Sequence, residues 1–186
     1  MNAQLEAIVE AFTAAALRFE ALARRLSPIE WSTRPAPDRW SPIECVAHLN
    51  LTAEAFLPLL HDGIERARGL RRRPPARYRR DLRGWLIWHA LKTPGKFRTK
   101  TPAAFLPTAD RPPSQTLEAF VRLQGEQTAC VQASDGLPVD RVIVVSPFDK
   151  RMKYSVYSAL TILPAHQHRH LWQAEAAEEA NAKAER

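Results

Sequence analysis

Two cysteines, Cys45 and Cys130, are all that the 186-residue chain contains. Each falls inside a helical pattern, which excludes a disulfide-framed scaffold and makes both thiols reduced, packed side chains. No stretch approaches the roughly 20 uninterrupted apolar residues that span a bilayer. The start of the chain lacks the basic stretch, apolar run and small-residue cleavage site of a secretory leader, so a cytoplasmic protein with no membrane partner is expected. Internal repeats and low-complexity segments are also missing, apart from a cluster of arginines and prolines. What is present is 45% hydrophobic and 25% charged residues, the balance of one globular domain over residues 1–186 with a core of its own.

Acidic residues are scarce in one place. Between Arg71 and Lys100 there are 11 Lys or Arg against Asp81 alone, a local charge of +10 where the whole chain carries +7. The remainder is therefore net acidic, and the positive charge belongs to one segment. A nucleic-acid module would use Arg71, Arg72, Arg73, Arg77, Arg79, Arg80 and Arg83 on phosphates, with Trp85 and Trp88 as stacking surfaces. A basic run broken by prolines is more often a solvated loop, and Leu82 and Trp85 read as the buried side of a short helix. Nucleic acid is accordingly the less favoured partner.

Hydrophobic periodicity defines four long helices. Leu5, Ile8, Val9, Phe12, Ala16, Phe19, Leu22 and Leu26 form one apolar stripe, which predicts a helix over about 3–26. Ser27 to Arg39, with three prolines, reads as a connecting loop. Ser41, Pro42 and Glu44 then mark a helix start: a serine cap, a proline at the first helical position, and a glutamate three residues after the cap. Trp40 and Cys45 occupy the positions of a hydrophobic staple. This second helix continues to about Arg68, with a bend at Pro58. Its inward face holds Cys45, His48, Leu49, Thr52, Phe56, Leu59 and Gly63; Asn50, Glu54, His61 and Glu65 lie opposite.

Residues 69–113 form a long crossover with a helical insert over Asp81–Leu91, whose apolar face carries Leu82, Trp85, Leu86 and His89. A third helix after Ser114 turns Leu117, Phe120, Val121, Thr128 and Val131 inward and ends near Gly136. Val139–Val145 is β-prone with no obvious partner, and reads as an extended connection or at most part of a small hairpin. The last helix spans about Tyr154–Ala182, with a kink at Pro164. The fold class is therefore all-α, a four-helix bundle with a crossover between its second and third helices.

The chemistry concentrates in three histidines. Val156, Leu160, Leu163, His166, His170, Ala174 and Ala177 share one face of the last helix. His166 and His170 are one turn apart, so both imidazoles can reach one ion. His168 is rotated by about 200° and falls outside. A lone His-x-x-x-His pair is a weak signal; the inward His48 strengthens it. Three buried imidazoles without partners each leave a polar group unmet, and one metal satisfies all three. The alternative is three core histidines satisfied by hydrogen bonds. Glu44 lies on the stripe of His48, but its capping role accounts for it.

Two motifs carry a resemblance. Trp40-Ser-Pro-Ile-Glu-Cys-Val-Ala-His48-Leu49 resembles the Trp-Ser-x-x-Glu-x-x-x-His-Leu segment that opens the second helix of DinB-like proteins. His166-Gln-His-Arg169-His170-Leu-Trp-Gln173 resembles their His-x-x-Arg-His-Leu-x-Gln signature on the fourth. Phe105-Leu106-Pro107 and Ser146-Pro147-Phe148 are weaker echoes.

The resemblance implies an up-down-down-up bundle, a divalent metal on His48, His166 and His170, and a homodimer. Some members of that family are thiol-dependent S-transferases or related hydrolases that use a low-molecular-weight thiol such as mycothiol or bacillithiol. For this chain that implies a Zn²⁺ or Ni²⁺ centre acting on a small electrophilic substrate. A metal-stabilised scaffold without turnover is the other reading. The basic, Trp-rich Arg71–Leu91 stretch departs from the family pattern; Arg169 and Gln173 match its positions, and Arg169 is expected to anchor the helix by an ion pair rather than to touch substrate.

Overall fold

The computed structural model describes residues 1–92, 100–108 and 111–184; the part of the basic segment at 93–99 lies outside the described residues. Helix α1 is Ala3–Arg25, capped by the Asn2 side chain, which accepts from the Gln4 amide. A five-residue helix, α2 (Pro28–Ser32), and the long α3 (Pro42–Gly69) follow. The expected loop over 27–39 therefore contains a helical turn. Its signal was plain: Ser27-Pro-Ile-Glu30 is the same tetrapeptide as Ser41-Pro-Ile-Glu44, and both close a full capping box. The two differ in what comes next. After Glu30, the Ser32 and Thr33 hydroxyls donate back to the carbonyls of Pro28 and Ile29, and Pro35 and Pro37 forbid continuation.

The crossover carries α4 (Leu82–Lys92) and a 3₁₀ turn at Ala103–Phe105. Helix α5 is Pro113–Ala133, and a two-stranded antiparallel hairpin, β1 (Ile143–Val145) with β2 (Lys153–Ser155), leads into α6 (Val156–Ala184). The β-prone run thus does have a partner. Tyr154, expected at the helix start, stands opposite Val144 in the ladder.

Contacts fix the directions of the four long helices. Along α1, Gln4 bonds Tyr157, Ala11 meets His168, and Arg18 pairs with Glu175. Partners rise together, so α1 and α6 are parallel. Asn2 meets Asp135 while Phe12 meets Gln124, which makes α5 antiparallel to α1. His48 lies beside His166 and Gly63 beside Val156, so α3 opposes α6. The result is the expected up-down-down-up bundle. By composition and length α3 could cross a membrane. Here it is a core helix, with Cys45, Leu49, Phe56 and Leu60 buried against its neighbours.

Two face assignments on the long helices are corrected. Asn50 is buried rather than outside, donating to the Thr116 carbonyl at 2.9 Å. Val121 is exposed, and α5 turns Leu123, Gln124 and Gln127 inward beside the expected Phe120 and Val131. Gln124 and Gln167 exchange two amide hydrogen bonds of 2.9 and 2.7 Å across the core. A polar pair at core positions breaks the hydropathy pattern, and pairing is what permits its burial.

The insert α4 is turned the other way from expectation. Leu82, Trp85 and Leu86 are 72%, 45% and 53% exposed, while Ile87, Trp88 and Leu91 pack against the core. The contact point is Gly84, where any Cβ would overlap the Ser158 side chain. Asp81 fixes the approach. One carboxylate oxygen accepts from the Gly84 amide, and the other accepts from the Ser155 amide and the Ser158 hydroxyl.

Candidate metal centre

The Ser41 box sets where α3 begins, and therefore which residues occupy its second turn. His48 lies there, buried, one turn before Thr52, whose hydroxyl donates to the His48 carbonyl. From the opposing α6, His170 is buried and His166 partly so. Among the described residues these three form the cluster that could hold a metal, with one ligand atom of each within 4.8 Å of the others. His61, His89 and His168 are not in it. His168 bonds the Ala11 carbonyl at 3.0 Å on the far side of α6.

The hydrogen-bond geometry assigns the proton of His48. Its Nδ1 lies 2.8 Å from the Phe105 carbonyl. A carbonyl only accepts, so Nδ1 carries the hydrogen and Nε2 presents a lone pair. That Nε2 is 3.4 Å from Nε2 of His166, which is 2.9 Å from Nε2 of His170. One hydrogen at His166 cannot serve both contacts. The remaining ring nitrogen of His170, Nδ1, is buried with no hydrogen-bond partner, so Nε2 is the nitrogen of that ring that meets the cluster. Three nitrogens that converge with too few protons between them suit a cation, which accepts all three lone pairs.

Electrostatics favour the same state. Burial holds the His48 imidazole below its usual range, opposed by the bond to Phe105. Burial, then the neighbouring charges of His48 and Arg169, push His166 down to about 3. His170 is lowered well below the ordinary histidine value for the same reason, with His166, His48 and Arg169 adding to burial. All three are neutral at physiological pH, the form that binds a metal.

Aromatic rings wall the cluster. Trp40 stacks on His170 with centroids 5.7 Å apart and lies 4.9 Å from His48. Phe105 and Phe148 stack on each other at 4.1 Å, and Phe148 meets His166 edge-on at 5.9 Å. These two phenylalanines come from the crossover and the hairpin turn, the segments of the weaker echoes. Periodicity on a single helix gives no sign that they reach the histidines. Glu44 is committed elsewhere: it closes the capping box and pairs with Arg34.

The fold and the site together define a four-helix bundle with a three-histidine centre between its second and fourth long helices. A profile of the DinB superfamily matches residues 11–174, and the chain belongs to that superfamily. Comparison with curated proteins and with solved structures finds no match.

Proposed function

We propose that the protein is a metal-dependent enzyme in which His48, His166 and His170 hold one Zn²⁺ or Ni²⁺ ion. Its reaction is transfer of a low-molecular-weight thiol, or of water, to a small electrophilic substrate. The observation that carries this reading is the convergence of three neutral imidazoles with no carboxylate or thiol among the described residues of the cluster. Structural zinc sites are usually closed by a fourth side chain, whereas three protein ligands leave a position for a reactant. When bound, such an ion supplies the Lewis acidity that makes a thiolate or hydroxide available at neutral pH.

The chain's own residues do the rest. The Phe105 carbonyl holds His48 in the tautomer that turns Nε2 to the centre. Trp40 fixes the plane of His170 by stacking. Phe105 and Phe148 give the cluster an apolar wall, which suits the carbon skeleton of a small electrophile. The test is turnover of a panel of electrophiles with common low-molecular-weight thiols by metal-replete protein. A metal-replete protein inactive across the panel would leave the non-catalytic scaffold.

The exposed Leu82, Trp85 and Leu86 on α4 support a second part of the proposal, a homodimer formed through this face. Covering a large apolar side chain is worth about 1.5–3 kcal/mol, and these three lie on one stripe of the helix. Light scattering should give twice the chain mass, reduced to the monomer by Trp85→Glu; a monomeric wild type would remove the dimer. Two buried thiols, Cys45 and Cys130, support the expectation of a reducing, cytoplasmic setting.

A further inference from the structure

A well-formed cavity among the described residues lies away from the histidines. It measures about 480 Å³ and lies between α1, α4 and α6, within the roughly 300–1,000 Å³ of small-molecule sites. Thr161, Pro164, Ala165 and His168 form its α6 wall, so α6 separates it from the metal centre. His168 faces the cavity's side and His166 and His170 face the other.

Its lining has two parts. Ile8, Leu91, Tyr157 and Pro164 offer an apolar surface, and Arg80, Lys92 and Arg169 bring three cationic side chains. No aspartate or glutamate is among the described residues that line it. The cations are also gathered rather than dispersed. The Arg80 guanidinium sits 3.9 Å over the Trp88 ring, held by a 2.9 Å bond from Nε to the Thr161 hydroxyl. The Lys92 ammonium lies 4.3 Å from the centre of the same ring. Two like charges gathered at one indole repel each other, and an anion beside them relieves that repulsion. The part of Arg80 not used by Thr161 and Trp88 retains the N–H donors that match an oxyanion.

We propose that this cavity binds a small amphipathic anion, its anionic head on Arg80 and Lys92 and its apolar body against Trp88, Tyr157 and Leu91. The head is a carboxylate or a phosphate ester, since both present the same oxygens to a guanidinium. The site is independent of the metal chemistry proposed above.

Calorimetric titration of the metal-loaded full chain decides it, with octanoate, octyl phosphate and neutral octanamide as probes. At least one anion should bind at one per chain, tenfold or more tighter than octanamide, and the tighter of the two identifies the head. Arg80→Met should abolish that preference. Ala7→Phe, at an exposed helical position on the cavity's rim, should weaken both anions at least tenfold and leave metal content unchanged. It decides the question if Arg80→Met does not fold. Equal affinity for octanamide and both anions, or anion binding undiminished by Ala7→Phe, would overturn the proposal.

Discussion

His166, His168 and His170 occupy five consecutive residues of α6, yet they meet opposite environments. On one side, His166 and His170 converge with His48 between aromatic rings, with Nε2 of His166 3.4 Å from that of His48 and 2.9 Å from that of His170. On the other, His168 has a protein carbonyl as its partner and borders a cavity lined by cations. The helical period alone produces the separation: two residues rotate a side chain by about 200°, four by about 40°. Identity of residue type therefore says little about role, and the partner across the interface says most.

Substitutions can break this comparison, and the largest effect falls on the inward side. His166→Ala should lose both bound metal and thiol-dependent turnover, because two imidazoles rarely hold zinc or nickel against competing water. Retention of turnover in the face of metal loss would detach the reaction from the centre.

Acid should act on the same side. The metal-free protein keeps His166 neutral down to about pH 3, whereas an unfolded histidine takes its proton near pH 6.5. The unfolded state thus binds more protons between those values, and stability must fall as pH is lowered through that window. Denaturant midpoints of metal-free protein at pH 7 and pH 5 check the sign; a rise on acidification would contradict it. His166→Ala should flatten the slope.

Smaller effects mark the outer side. Gly84→Ala places a methyl group into Ser158 and should destabilise the protein by about 1–3 kcal/mol, through overpacking where α4 docks, without touching metal binding. His168→Ala removes one half-buried hydrogen bond and should cost about 1 kcal/mol, with metal content unchanged. Metal loss from His168→Ala would erase the distinction between the two faces.

The parts of the fold legible in the sequence were those that a single helix expresses by itself. The four long helices, the Ser41 cap and the inward set of His48, His166 and His170 follow from period and cap chemistry. What was not legible depends on a second element. Both sides of α4 are apolar, and the buried side was chosen by Gly84, a residue that hydropathy ignores because its contribution is the closeness it permits. Asn50, Gln124 and Gln127 are polar residues at core positions, hidden from any pattern that sorts by hydrophobicity. Phe105 and Phe148 reach the histidines from segments far away in sequence. The short helix α2 is a different case, since its start is spelled by the same four residues as that of α3; the prolines that end it masked the signal.

The central claim is that three imidazoles form one metal site, and metal content tests it most directly. Protein purified without an affinity tag, exposed to excess Zn²⁺ or Ni²⁺ and desalted, should retain about one equivalent per chain, and His48→Ala less than about a tenth. Less than about a tenth of an equivalent in the wild type, or an undiminished equivalent in His48→Ala, would contradict the account.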